Sequence, residues 1–296
     1  MGRRKNRIRT SLSVNIFQGI NYLFLTILAL LCVYPMWYAF AASVSESSKM
    51  MMHMGILLKP LGFTLAAYKQ VFSNPNILTG YANTLFILVV GVIVCIFMTS
   101  LGAYVLSRKN LMWRNVMMMI IMFTMFFSGG MIPFYMNLKE LHLTNSLWGL
   151  IIPFMINTYN MVILRTAFAS IPDSLVEAAQ IDGASHITIL KNIVLPLSKA
   201  TVAVLVLYYG VEKWNAWFWA SCIIRDRELL PLQVILREIL LSSTQSMQMG
   251  ATGDTEAIGI TIRYATIIVA TVPILCVYPF IQKYFTKGVM IGAVKE

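Results

Sequence analysis

The residues best spaced to act on another molecule lie in one stretch, E-A-A-Q-I-D-G-A-S-H-I-T-I-L-K-N-I-V-L-P, running from Glu177 to Pro196. Glu177 and Asp182 are acidic, Gly183 permits a turn with positive φ, and Pro196 closes the segment. The chemistry on offer is recognition: two carboxylates presented to a basic or helix-N-terminal socket. A helix that simply rests on a bilayer carries Lys or Arg along its polar face. This one carries acid, which favours docking to a protein over lying on lipid, and the two remain alternatives on these residues alone.

Local signals build a helix–turn–helix around these side chains. Pro172 with Asp173 or Ser174 starts a helix. Glu177, Ala178 and Ala179 continue it with good helix formers. After Gly183 a second short helix is expected, with Ile187, Leu190, Ile193 and Val194 as its apolar stripe, and Pro196 turns the chain into the next hydrophobic run.

The remainder of the chain says where such a segment sits. Of 296 residues, 58% are hydrophobic and 12% charged, with a mean hydropathy of +0.73. Soluble domains carry roughly 45–50% apolar and about 25% charged residues. An apolar excess of this size cannot be hidden in the core of one chain, so an all-α polytopic membrane protein is expected. Six stretches reach the roughly 20 apolar residues that a bilayer crossing needs. They are Ile20–Ala42, Tyr81–Leu106, Val116–Tyr135, Leu147–Phe168, Leu197–Ser221 and Ile262–Ile281, with Gly129, Gly130 and Pro133 expected either to bend the outer end of the third or to serve close helix packing there. The start M-G-R-R-K-N-R-I-R and the A-F-A at Ala39–Ala41 imitate a secretory signal, but the apolar run exceeds the roughly 7–15 residues of a signal core.

Six spans put both termini on one side. Basic residues crowd that side, from Arg3, Arg4 and Lys5 through Arg108, Lys109 and Arg114 to Lys283 and Lys287, while the opposite side is close to balanced. Cationic loops mark the cytoplasmic face. The basic tail 1–18, the segment 170–196 and the C-terminal tail 282–296 are therefore expected in the cytoplasm, and the connections 43–80 and 222–261 outside. The net charge of +11 then follows from topology and anionic lipid, not from nucleic acid. One transmembrane domain is expected across 1–296, without internal repeats. Cys32, Cys95, Cys222 and Cys276 have no CxxC spacing and His53, His142 and His186 lie far apart, so free thiols and no metal site are expected.

The opening stretch resembles the EAA signature of ABC importer permeases at every marked position: Glu177, Ala178, Ala179, Gly183, Ile193, Leu195 and Pro196. The I-D-G-A form at Ile181–Ala184 is similar to the carbohydrate-uptake branch, the family of the maltose permease subunits. A-Y-V-L-S-R-K at Ala103–Lys109, W-N-A-W at Trp214–Trp217 and the tail F-T-K-G-V-M-I-G-A-V-K extend the resemblance over nearly the whole chain. S-G-G-M-I-P-F-Y at Ser128–Tyr135 and P-L-Q-V-I-L-R at Pro231–Arg237 resemble a narrower, YtcP/LplC-like subgroup of oligosaccharide permeases.

What the resemblance implies is a type I ABC importer permease fold in a bacterial cytoplasmic membrane. It implies a second homologous permease subunit, two cytoplasmic ATPase subunits and an extracytoplasmic sugar-binding protein as partners. The first short helix is then a coupling helix seated in an ATPase cleft. Glu177 pairs with a basic residue there, Ala178 and Ala179 allow close approach, and Gly183, with Asp182 before it, sets the angle between the two short helices. The tail, with Gly288, Gly292 and Lys295, is expected to enter the ATPase dimer. This chain binds no cofactor: it has no G-x-x-x-x-G-K-[ST], so ATP and Mg belong to the partner.

Sugar chemistry also has candidates in the spans. N-T-Y-N at Asn157–Asn160 and Y-Y-G-V-E-K-W-N-A-W-F-W at Tyr208–Trp219 offer amides for hydroxyls and rings for sugar C–H faces. Asn157, Tyr159, Asn160, Tyr209, Glu212 and Asn215 are the expected path residues, against the alternative of an interfacial aromatic belt. Arg165, Lys213 and Arg263 either favour an acidic saccharide or anchor helix ends. The spans hold no chain of carboxylates for a proton relay, which disfavours a secondary, ion-coupled carrier. No His/Cys constellation or paired carboxylates mark a membrane enzyme acting on glycans or lipids.

Overall fold

The computed structural model describes residues 11–248, 259–276 and 279. Helix α1, Leu12–Ser43, is followed by short helices α2, Ser47–Met52, and α3, Ala66–Phe72. Helix α4, Asn76–Ser107, leads to α5, Arg114–Phe126, and α6, Met131–Glu140. Two 3₁₀ turns, Leu147–Leu150 and Ile152–Phe154, precede α7, Thr158–Ala169. Then come α8, Asp173–Ile181, and α9, His186–Ile189, which runs through a π turn at Leu190–Val194 into α10, Leu195–Leu197. Helix α11, Lys199–Trp214, α12, Trp217–Ile223, α13, Leu232–Gln248, and α14, Gly259–Cys276, complete the described chain. No strand occurs among the described residues, where Ser45 and Phe63 form an isolated bridge.

Contacts divide the chain into two units, residues 1–71 with 242–268 and residues 72–241 with 269–296. In the first, Ala41, Ala42, Met50 and Leu57 form a small core with Tyr38, Leu61, Ile260 and Tyr264 packed against it. Most of α1 lies outside that core: Leu23, Phe24, Leu30 and Leu31 are exposed, an apolar surface suited to lipid.

The second unit is built on α4, α7 and α11. The hydropathy of α4 is high all round, and small residues recur along its buried face between Ile77, Ile87 and Tyr104. Gly80, Thr84, Gly91, Cys95, Thr99 and Ala103 line that face, and small residues let neighbouring backbones come close. An added Cβ on Gly80 would lie 2.5 Å from Ile235 Cδ1 and 3.2 Å from the Leu232 Cα. Against this stripe pack Met161, Leu164 and Phe168 of α7 and Leu205 and Tyr209 of α11.

Three helices are long and apolar enough to cross a bilayer, Ser13–Ser43, Asn76–Ser107 and Gly259–Cys276, and three bent pairs bring the total to six if each pair is one span. The expected third span is broken: α5 and α6 meet at 111° across Phe127–Gly130, where Gly130 has φ +87°. The Gly-Gly pair thus turns the chain far more sharply than a bend. The expected fourth span starts as 3₁₀ turns and changes direction by 48° before α7. Pro153 stands in the second turn and the Asn157 side chain accepts the Asn160 N–H at 3.3 Å, which caps a new helix. The expected fifth span, Leu197–Ser221, is interrupted after Trp214, where Asn215 Nδ2 donates back to the Val211 carbonyl at 3.0 Å. The described part of the sixth, Gly259–Cys276, begins slightly earlier than expected.

Candidate functional site

The segment around Glu177 folds as two short helices whose ends are set by local bonds. Helix α8 follows Pro172, and Asp173 in its first turn forms an ion pair with Lys109 at 2.7 Å, tying α8 to the α4–α5 connection. The Lys109 hydrogen bond holds the Asp173 carboxyl below the usual aspartate range. At the other end the Ala184 N–H donates to the Ala179 carbonyl at 2.9 Å and the Gly183 N–H to the Gln180 carbonyl at 3.0 Å, with Gly183 at φ +79°. These are the two bonds of a Schellman motif, in which a left-handed residue satisfies the last carbonyls of a helix. The spacing from E-A-A to Gly is therefore the spacing of a helix end. Ser185 then caps α9 by accepting the Thr188 N–H at 3.2 Å.

Pro196 has no N–H to give the Asn192 carbonyl, and the helix widens into its π turn directly before it. The axis turns by 87° between His186–Leu197 and Lys199–Trp214, so the chain changes direction just after Pro196, as its sequence leads one to expect.

One face of this segment belongs to the core. Val176, Ile189, Leu190 and Val194 are buried in the cluster that contains Leu164 and Phe168. This corrects the expected stripe: Ile187 is 73% exposed and Ile189 takes the inward position, because the break at Gly183 and Ser185 restarts the helical register. Ile193 and Leu195 are half-buried. The opposite face is open. Glu177, Ala178, Asp182 and Gly183 are exposed, Ala179 is half-buried, and Ile181 stands beside them at 86% exposure. Ile181 and Ile187 add an apolar component to the open face that hydrophobic periodicity assigned to the core or left unremarked. One further bond ties the segment to α4, where the Tyr104 hydroxyl meets His186 Nδ1 at 3.3 Å, and Arg165 Nε of α7 donates to the Leu106 carbonyl of α4 at 3.2 Å.

The expected path residues separate into two groups. Tyr209 is fully buried, its hydroxyl paired with Thr99 Oγ1 at 2.7 Å and accepting the Asn157 N–H at 3.1 Å. Asn160 is buried, and the Asn157 side chain is engaged in capping α7. Tyr159, Glu212 and Asn215 are exposed. Lys213 does not anchor a helix end in solvent: it is buried, with Nζ donating to the Leu150 carbonyl at 3.1 Å and lying 5.2 Å from the Phe154 ring. Trp219 packs on Phe134 with centroids 4.6 Å apart, whereas Trp217 carries the Arg237 guanidinium over its ring at 3.5 Å. The Arg237–Trp217 pair joins residues distant in sequence and has no local signal. Gly288, Gly292 and Lys295 lie outside the described residues. Among those residues no group of His, Cys, Asp and Glu could hold a metal ion.

Apolar broken spans, with an open acidic helix–glycine–helix locked onto them, define a multi-pass membrane protein. The chain belongs to the family of binding-protein-dependent transport system inner membrane components, which it matches over residues 1–291. It is 41% identical over 287 residues to the polygalacturonan/rhamnogalacturonan transport system permease protein YtcP of Bacillus subtilis strain 168, covering 95% of this chain and 98% of that one. Protein LplC of the same organism is 39% identical over 284 residues, 95% of each chain. The fold matches the crystal structure of a bacterial ABC transporter involved in the import of the acidic polysaccharide alginate, with a TM-score of 0.83 and 34% identity, covering 94% of this chain and 100% of that chain. The chain is thus a multi-pass membrane transport subunit with the type I importer permease fold, and not an enzyme.

Proposed function

We propose that this chain is one of two permease subunits of an ATP-driven importer of complex oligosaccharides, and that Glu177–Pro196 is the element that couples it to ATP hydrolysis. The observation that carries the reading is the division of this segment into two faces. Val176, Ile189, Leu190 and Val194 are sunk in the core, so the segment moves with the spans. Glu177, Ala178, Asp182, Ile181 and Ile187 are presented outward on a short helix whose end is fixed by Gly183. A rigid ridge of this kind suits a cleft with a basic group for Glu177 and an apolar floor for the two isoleucines.

In this reading two cytoplasmic ATPase subunits bind ATP and Mg, and their closure pushes α8 and α9, which carry α7 and α11 with them. The bias of basic residues supports a reading in which the termini and the coupling segment lie in the cytoplasm and the 222–261 connection faces an extracytoplasmic binding protein. The tail with Gly288, Gly292 and Lys295 reaches the ATPase pair. Oligosaccharide as cargo rests on the similarity to YtcP and to the alginate importer. Asn157, Asn160 and Tyr209 shape the path by holding the broken fourth span, and Tyr159, Glu212 and Asn215 offer exposed polar groups along it.

The test is ATP hydrolysis by the complex purified with its co-expressed subunits, with and without binding protein and oligogalacturonides. Stranding a buried charge by removing its partner costs on the order of 3–5 kcal/mol. Glu177→Ala is therefore expected to insert normally and to lose stimulated hydrolysis and uptake. Full stimulation in that variant would overturn the coupling role.

A further inference from the structure

Arg237 and Trp217 meet although they come from different helices. The guanidinium carbon sits 3.5 Å from the centroid of the Trp217 ring, and both residues are exposed. Trp217 opens α12 directly after the interruption of the fifth span, and Arg237 lies in the second turn of α13. Helix α11 has 16 residues, so this pair stands about 24 Å along its axis from the coupling segment.

Stacking uses the flat face of a guanidinium and leaves its N–H edge free for a planar anion. Among the described residues no carboxylate is paired with that edge. The neighbouring Glu238 is taken by Arg227 at 3.3 Å, and the other ion pairs among the described residues are Lys49–Glu46 and Lys109–Asp173. The base beneath Arg237 is rigid. Leu232, Val234, Ile235 and Leu236 are buried, and the Leu232 N–H donates to Thr84 Oγ1 at 2.8 Å. Beside the guanidinium runs a row of rings, with Trp217 to Phe218 at 5.6 Å and Phe218 to Trp219 at 5.4 Å, both edge-on.

A uronate-bearing sugar needs this combination. Its carboxylate takes two parallel N–H bonds from a fixed guanidinium, and its C–H face lies against an aromatic ring. A neutral sugar uses only the ring. Resting on the oligosaccharide-importer reading above, we propose that Arg237 and Trp217 form a subsite selective for carboxylate-bearing oligosaccharides at the end of the fifth membrane segment away from Glu177. A base that holds the fork in place makes Arg237 the specificity-determining residue and Trp217 its support.

The experiment measures binding to the detergent-purified complex, without binding protein, of a short oligogalacturonate and of its methyl ester, which keeps the sugar and removes the charge. The native complex is expected to prefer the acid at least about ten-fold, a difference a single good contact provides. Arg237→Gln is expected to erase the preference, and Arg237→Lys to restore only part of it, since an ammonium lacks the fork. Trp217→Leu is expected to weaken both ligands, the acid more than the ester, because the ring is lost to both and the loosened guanidinium only to the acid. Glu177→Ala should keep the preference while losing stimulated hydrolysis. If Arg237→Gln retains the preference, or if the native complex shows none, the subsite is overturned whatever Glu177 does. If Arg237→Gln instead weakens docking of the binding protein and leaves sugar binding intact, the pair is a protein contact and the proposal fails. A preference that vanishes in Arg237→Gln while Glu177→Ala remains fully stimulated keeps the subsite and removes the coupling role alone.

Discussion

Lys213 donates from Nζ to the Leu150 carbonyl oxygen at 3.1 Å, although only 4% of the residue is exposed. One turn earlier on the same helix, Tyr209 accepts the Asn157 N–H at 3.1 Å. The two side chains receive both ends of the stretch where the fourth span is not α-helical. Backbone groups freed inside a bilayer must be satisfied by protein, and α11 does this for α7. Its stem is accommodated by Gly91, where an added Cβ would lie 3.4 Å from Lys213 Cε.

Lys213→Met should leave the Leu150 carbonyl without its donor and cost about 1–3 kcal/mol, and Tyr209→Phe should cost a similar amount by stranding Asn157 and Thr99. Because both hold one break, the double variant should depart from the sum by roughly 0.5–3 kcal/mol. Thermal unfolding of the four proteins in detergent measures this. Strict additivity would mean that the two bonds are independent.

Gly183 has φ +79° with nothing within 4 Å of an added Cβ, so space is not its constraint. A left-handed L-residue costs roughly 1–2 kcal/mol. Substrate-stimulated ATP hydrolysis should fall in the order Gly183→Asn, Gly183→Ala, Gly183→Val, with Asn retaining the most. Equal activity of the valine variant would show that the turn angle is not transmitted.

Two glycines in close packing should respond differently. A Cβ on Gly149 would collide with the Leu143 carbonyl oxygen, which is backbone, while on Gly80 it first meets the flexible tip of Ile235. Overpacking costs about 1–3 kcal/mol where side chains can yield. Gly80→Ala should therefore express as a folded, destabilised protein, and Gly149→Ala should reduce the yield of monodisperse protein further. The reverse order in size-exclusion profiles would contradict this packing.

The Asp173–Lys109 pair sets a pH dependence with a definite sign. The carboxyl is held low when folded, so its contribution is present above the ordinary aspartate pKa and is lost as pH falls through the folded value. The stability difference between the native protein and Asp173→Asn should be flat from pH 7 to 5, shrink only below about pH 4, and diminish with salt. Both groups are exposed, so the difference is small. Shrinkage already between pH 7 and 6 would assign it to another group.

Much of the Glu177–Pro196 segment was legible in sequence because its geometry is local. Pro172, Gly183, Ser185 and Pro196 act through φ angles and hydrogen bonds that reach at most a few residues, so a helix, a left-handed end, a second helix and a turn can be read from their order. The spans were legible as apolar lengths for the same reason. Their breaks were legible only in part: Gly129 and Gly130 marked a bend, but 111° is set by what α5 and α6 each pack against.

Which face of a membrane helix turns inward is a different matter, since lipid is as apolar as a core and hydrophobicity no longer separates the two. The small residues on the buried face of α4, the burial of Lys213 against Leu150 and the stacking of Arg237 on Trp217 were all decided by tertiary structure. Each depends on an element that arrives from far along the chain. The sequence by itself determined that this is an all-α membrane chain carrying an acidic helix–turn–helix segment; the packing of distant helices decided which of its polar residues are occupied in holding broken spans together and which stand exposed.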